Sequence, residues 1–119
     1  MSLFAAALRL TGLSQPEAAD WLSDQLCRSV SLQTIKDMSS GRSKAHPDVW
    51  AALSSLHQQQ LAAADEALDL IDELADAHGE PPESLDFGSY GRASEWPSLR
   101  VAENTAALVA LQSGIPAEE

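Results

Sequence analysis

A short helix with both ends spelled out lies between Ser31 and Gly41. Ser31 can accept a hydrogen bond from a free amide of the first turn, and Val30 before it can pack on Ile35. Gly41 supplies the left-handed stop. Between these ends Ile35 and Met38 share one side at helical spacing, while Gln33, Lys36, Asp37 and Ser40 share the other. Such a helix buries one face and presents an amide, an ammonium, a carboxylate and a hydroxyl on the opposite one. That second face is either solvated surface or a surface able to read the base edges of DNA, and the neighbouring sequence decides between them.

Upstream, residues 3–11 predict a first helix, with Phe4, Ala7, Leu8 and Thr11 at helical spacing and Gly12 as its terminator. Ser14-Gln15-Pro16-Glu17 is a capping box with proline in the first turn, where no amide donor is missed. It opens a second helix, Pro16 to about Leu26, expected to bury Ala18, Leu22 and Leu26 with Trp21 beside them. The free amides of its first turn would suit a phosphate. Cys27 reads as a small buried hydrophobe in the connector Cys27-Arg28-Ser29, and the position of Arg28 is left open. After Gly41, the loop Arg42-Ser43-Lys44-Ala45-His46 is basic, and Pro47-Asp48 begins another helix.

This next helix is long. Val49, Trp50, Leu53 and Leu56 are expected to close the core of the first half, residues 1–57. Leu61, Ala64, Leu68, Ile71 and Ala75 then recur at spacings of three and four, as in a coiled-coil seam. His57-Gln58-Gln59-Gln60 interrupts the apolar stripe, which leaves open one continuous helix to about Ala77 or two helices with a break. Residues 79–84 form a linker, residues 85–90 a short strand weakened by Gly88, and residues 97–113 a last helix. Val101, Thr105, Leu108 and Leu111, with Ala102 and Val109, would form the apolar side of that helix, and Gly114 and Pro116 stop it. The fold class expected is mainly α. Leu61, Ala64, Leu68, Ile71, Val101, Leu108 and Leu111 are expected to form the interface of a homodimer, built by residues 58–119.

The net charge of −11 argues against nucleic acid until it is divided along the chain. Residues 1–57 carry five cations and five anions, whereas residues 58–119 carry two cations against 13 acidic residues. The acidity belongs to the second half, and an asymmetry of this kind points to two tasks in one chain. A single cysteine excludes an internal disulfide framework and a multi-cysteine zinc site. No apolar run is long enough to span a bilayer, and the N-terminus lacks the shape of a secretion signal, so a cytoplasmic location is expected. Asp65, Asp69, Asp72, Glu73 and Asp76 share a broad helix face, but the Glu-x-x-His step of a carboxylate-bridged metal pair is missing: Ala75 stands three residues before His78. His46, His57 and His78 are scattered, and no glycine-rich phosphate loop is present. No enzyme, metal or cofactor is therefore expected.

Leu13-Ser14-Gln15-Pro16-Glu17-Ala18-Ala19, then Val30-Ser31-Leu32-Gln33-Thr34-Ile35, then Gly41-Arg42 before Pro47, resembles the Cro/phage-repressor-like (Xre) helix-turn-helix family over residues 3–57. The second half looks like the dimerisation part of YdiL-like regulators and anti-CRISPR-associated repressors. Two departures stand out: several extra residues separate Leu22 from Val30, and Met38-Ser39 occupies the place of a common Trp-Glu pair. The resemblance implies a lambda-repressor-like helical bundle and a bacterial or phage repressor that binds double-stranded DNA as a homodimer. Two recognition helices would enter successive major grooves of a palindromic operator, about 34 Å apart. It further implies that Gln15 caps the second helix near a phosphate and that Thr34-Ile35 opens the recognition helix. Base contacts are then expected from Gln33, Lys36, Asp37 and Ser40, with Asp37 either accepting from a cytosine amino group or restraining Lys36. Phosphate contacts are expected from Ser14, Gln15, Thr34, Arg42 and Lys44. The alternative is a protein–protein adaptor, antitoxin-like or sigma-factor-binding, whose acidic half meets an as yet unidentified basic partner.

Overall fold

The computed structural model describes residues 2–83, 85–86, 96–115 and 117–118. The chain is mainly helical and divides into two compact units, Met1–His57 and Gln58–Glu119. They part where the balanced charge of residues 1–57 gives way to the acidic second half.

The first unit contains α1 (Leu3–Thr11), α2 (Gln15–Leu26), α3 (Leu32–Ser40) and the start of α4 (Pro47–His78). The helix ends follow from local chemistry. Ser14 and Glu17 close the capping box in both directions, the Ser31 hydroxyl accepts from the Thr34 amide at 3.1 Å, and Gly12 and Gly41 take left-handed conformations. Helix α3 packs against both α1 and α2. Phe4, Leu8, Ala18, Leu22, Ile35 and Met38 are buried, as are Val49, Leu53 and Leu56 near the start of α4. Burying each of the larger side chains contributes roughly 1.5–3 kcal/mol. Trp50, expected inside, stands at the edge of this core, where its ring meets Phe4 edge-on with centroids 6.3 Å apart. Leu26 is only half-buried.

Cys27 departs from expectation. It is exposed and takes the left-handed conformation, φ 53°, as the cap that ends α2, a role usually given to glycine. Packing has no part in its placement; the chain must reverse there.

Helix α4 is a single helix through residues 57–60. In the second unit it is joined by α5 (Leu99–Ser113), capped by Ser98 and ended by left-handed Gly114. Leu85–Asp86 (β1) pairs in parallel with Ala117–Glu118 (β2). Residues 87–90 of the expected strand and Pro116 lie outside the described residues.

The apolar stripe of α4 is rotated from the one its leucines suggest. Its buried positions here are Gln60, Ala63, Ala64, Ala67 and Ile71, whereas Leu61 is exposed and Leu68 half-buried. Gln60 is fully buried because its amide donates to the Val101 carbonyl (3.3 Å) and to the Thr105 hydroxyl (3.2 Å) of α5. The alanines admit α5 closely, and Val109 completes a cluster with Ala64, Ala67 and Ile71. On α5, Val101, Ala102, Thr105 and Val109 are buried as expected, and Ala106 joins them, whereas Leu108 is half-buried and Leu111 is 82% exposed. Ala64, Ile71 and Val101 are thus enclosed by their own chain and offer nothing to a second copy. Of the expected interface residues, Leu61, Leu68, Leu108 and Leu111 keep accessible surface.

Candidate nucleic-acid interface

The site is built on α3. Ile35 and Met38 are buried against the other helices of the first unit, which turns Gln33, Lys36 and Ser40 to the exterior. Asp37 is half-buried beside them. Its carboxylate accepts a hydrogen bond from the Gln33 side-chain amide at 2.9 Å, so the restraint expected on Lys36 falls on Gln33 instead. The Asp37 carbonyl accepts from the Arg42 amide (2.9 Å), the Ser43 amide (3.1 Å) and the Ser40 hydroxyl (3.1 Å). Asp37 therefore ties the start of the basic loop to the end of the helix, and the Ser40 hydroxyl spends its proton inside the protein. Arg42 and Lys44 extend from that loop as exposed cations.

Two contacts fix how α3 is presented. Ser23 of α2 donates to the Ala19 carbonyl at 2.7 Å and accepts from the Val30 amide at 2.9 Å, which joins the end of α2 to the entry of α3 across the turn between them. The Ser2 hydroxyl, the cap of α1, lies 2.9 Å from the Met38 carbonyl oxygen and 3.0 Å from that of Ser39, and it shares its proton between these last-turn acceptors of α3. Neither contact is announced by sequence spacing. Arg28 likewise finds its partner at a distance: its guanidinium lies 3.1 Å from the Asp48 carboxylate in the first turn of α4, where His46 also approaches at 2.8 Å. An acid at a helix start is readable from sequence; its pairing with a cation 20 residues earlier is not.

The N-terminus of α2 is a poorer phosphate site than its sequence suggests. Pro16 has no amide proton, the Glu17 amide is taken by the Ser14 hydroxyl, and the Ser14 amide is taken by the Glu17 carboxylate at 3.0 Å. That leaves the Gln15 amide in the first turn, with an acidic side chain adjacent. Thr34 is exposed at the start of α3, its hydroxyl 2.9 Å from that of Ser31.

Asp65, Asp69, Asp72, Glu73 and Asp76 are all exposed along α4, and among the described residues no group of three His, Cys, Asp or Glu side chains is placed to hold a metal ion. No helix among the described residues is long and apolar enough to cross a membrane. No family model, curated protein or solved structure matches the chain.

Proposed function

We propose that this chain is a sequence-specific DNA-binding transcriptional regulator, a homodimeric repressor whose α3 enters the major groove of a palindromic operator. The observation that carries the reading is the disposition of α3. A helix seated on its core by Ile35 and Met38 presents Gln33 and Lys36 outward and runs directly into the exposed cations Arg42 and Lys44. Base-edge contacts then fall to Gln33 and Lys36, and backbone contacts to Arg42, Lys44 and the Gln15 end of α2. The reading requires the 13 acidic residues of the second half to lie beyond a Debye length of about 8 Å from the duplex, where exposed charge is largely screened at physiological salt.

Fluorescence anisotropy against duplex DNA, repeated across a salt titration, tests the reading. Binding should weaken linearly in log salt, and Arg42→Ala should weaken binding to every duplex and lower the slope by about one. Gln33→Ala should cost about 1–3 kcal/mol on the preferred site and little on random DNA. Salt-independent binding, or none, removes the proposal. The exposed acidic face of α4 supports a second reading, an adaptor for a basic protein, which predicts that last outcome.

A further inference from the structure

Asp37 stands where an acid is doubly out of place. It lies in the last turn of α3, where the helix dipole disfavours negative charge, and on the side of the molecule that would meet phosphates. Yet its backbone is firmly anchored, since the Arg42 and Ser43 amides and the Ser40 hydroxyl all converge on its carbonyl. Its carboxylate is spent on one contact, the 2.9 Å hydrogen bond from Gln33 one turn earlier.

We infer that Asp37 is a positioning residue that restricts Gln33 to adenine by fixing the orientation of its amide, a proposal that rests on the DNA-binding reading above. An ionised carboxylate only accepts hydrogen bonds, so the amide nitrogen of Gln33 must face it and the amide oxygen must face away. One N–H of Gln33 is consumed by Asp37. What remains to meet a base is one donor and one acceptor side by side, the complement of adenine N7 and its N6 amino group. Guanine presents two acceptors, N7 and O6, in the same place, and the fixed Gln33 oxygen would confront one of them. Without Asp37 both N–H groups become available, the amide can turn over, and guanine is accommodated. Asp37 therefore rejects guanine through Gln33 without itself touching a base, and the cytosine contact otherwise expected of it is not needed.

The test uses the full chain and a duplex site enriched from a random pool by the wild-type protein. At the position that depends on Gln33, the wild type should prefer adenine over guanine by roughly tenfold to a hundredfold, the range of one paired base contact. Q33A should abolish that ratio. D37A and D37N should reduce it several-fold toward unity while still binding DNA, and D37E, which restores an acceptor-only group one turn from Gln33, should retain it. A merely structural role for Asp37 would lower affinity for the adenine and guanine sites equally and leave their ratio unchanged. An unchanged ratio in D37A, or in Q33A, overturns the inference alone. A wild-type protein that enriches no site overturns the DNA-binding reading and this inference with it.

Discussion

Cys27 pays a conformational cost that its side chain does not recover through burial. It holds φ 53° with a Cβ, a conformation that costs an L-residue about 1–2 kcal/mol, and its thiol makes only a long 3.8 Å contact with the Asp24 carbonyl. Glycine adopts the same conformation freely, although it loses more backbone entropy on folding. Cys27→Gly is therefore expected to stabilise the protein by up to about 1 kcal/mol, read as a raised urea midpoint with an unchanged slope. A lowered midpoint would show that the side chain contributes packing after all. Gly41 presents the opposite case. It holds φ +82° with open space around it, so a side chain there would suffer from the backbone alone and not from any neighbour.

Among the elements, the connection from α2 to α3 runs from Cys27 to Ser31, and Ser23 of α2 fastens it by accepting from the Val30 amide. Ser23→Ala leaves the half-buried Val30 amide without its acceptor, at an expected cost of about 1 kcal/mol. If the turn sets the angle of α3, the same substitution should weaken DNA binding by more than the stability change explains, measured by anisotropy on protein confirmed folded by circular dichroism. Binding that stays at the wild-type level would make Ser23 a stability residue only. Helix ends proved legible because capping is local: Ser14, Ser31, Gly12, Gly41 and Gly114 each act within a turn of their own position. The exposed face of α3 was legible for the same reason, since Ile35 and Met38 fix its rotation. What the sequence concealed lies in pairings across long separations. The rotation of α4 depends on Val101 and Thr105, 41 and 45 residues beyond Gln60, and a run of glutamines offers no hint that its last member finds buried acceptors there. The Gln33–Asp37 bond spans one turn, but a lysine beside the carboxylate presents an equally local partner, and spacing alone does not rank the two.

For the molecule as a whole, the rotated stripe narrows where a second copy could sit in the second unit. Of the expected set, Leu111 keeps the most exposed surface, with Leu61, Leu68 and Leu108 as the other accessible members. On the proposed homodimer reading, Leu111→Asp should therefore convert a dimer to a monomer in sedimentation velocity while changing unfolding stability by no more than about 0.5 kcal/mol, as befits a surface substitution. A variant that sediments as the wild type does would move the interface elsewhere. The Ser2 hydroxyl adds a practical consequence at the opposite end of the chain. Because that hydroxyl bonds to the carbonyls of Met38 and Ser39, the last turn of α3 is anchored from the very start of α1, and a change at Ser2 is felt at the far end of another helix. The contributions of Gln33, Asp37 and Arg42 should therefore be weighed with Ser2 unchanged.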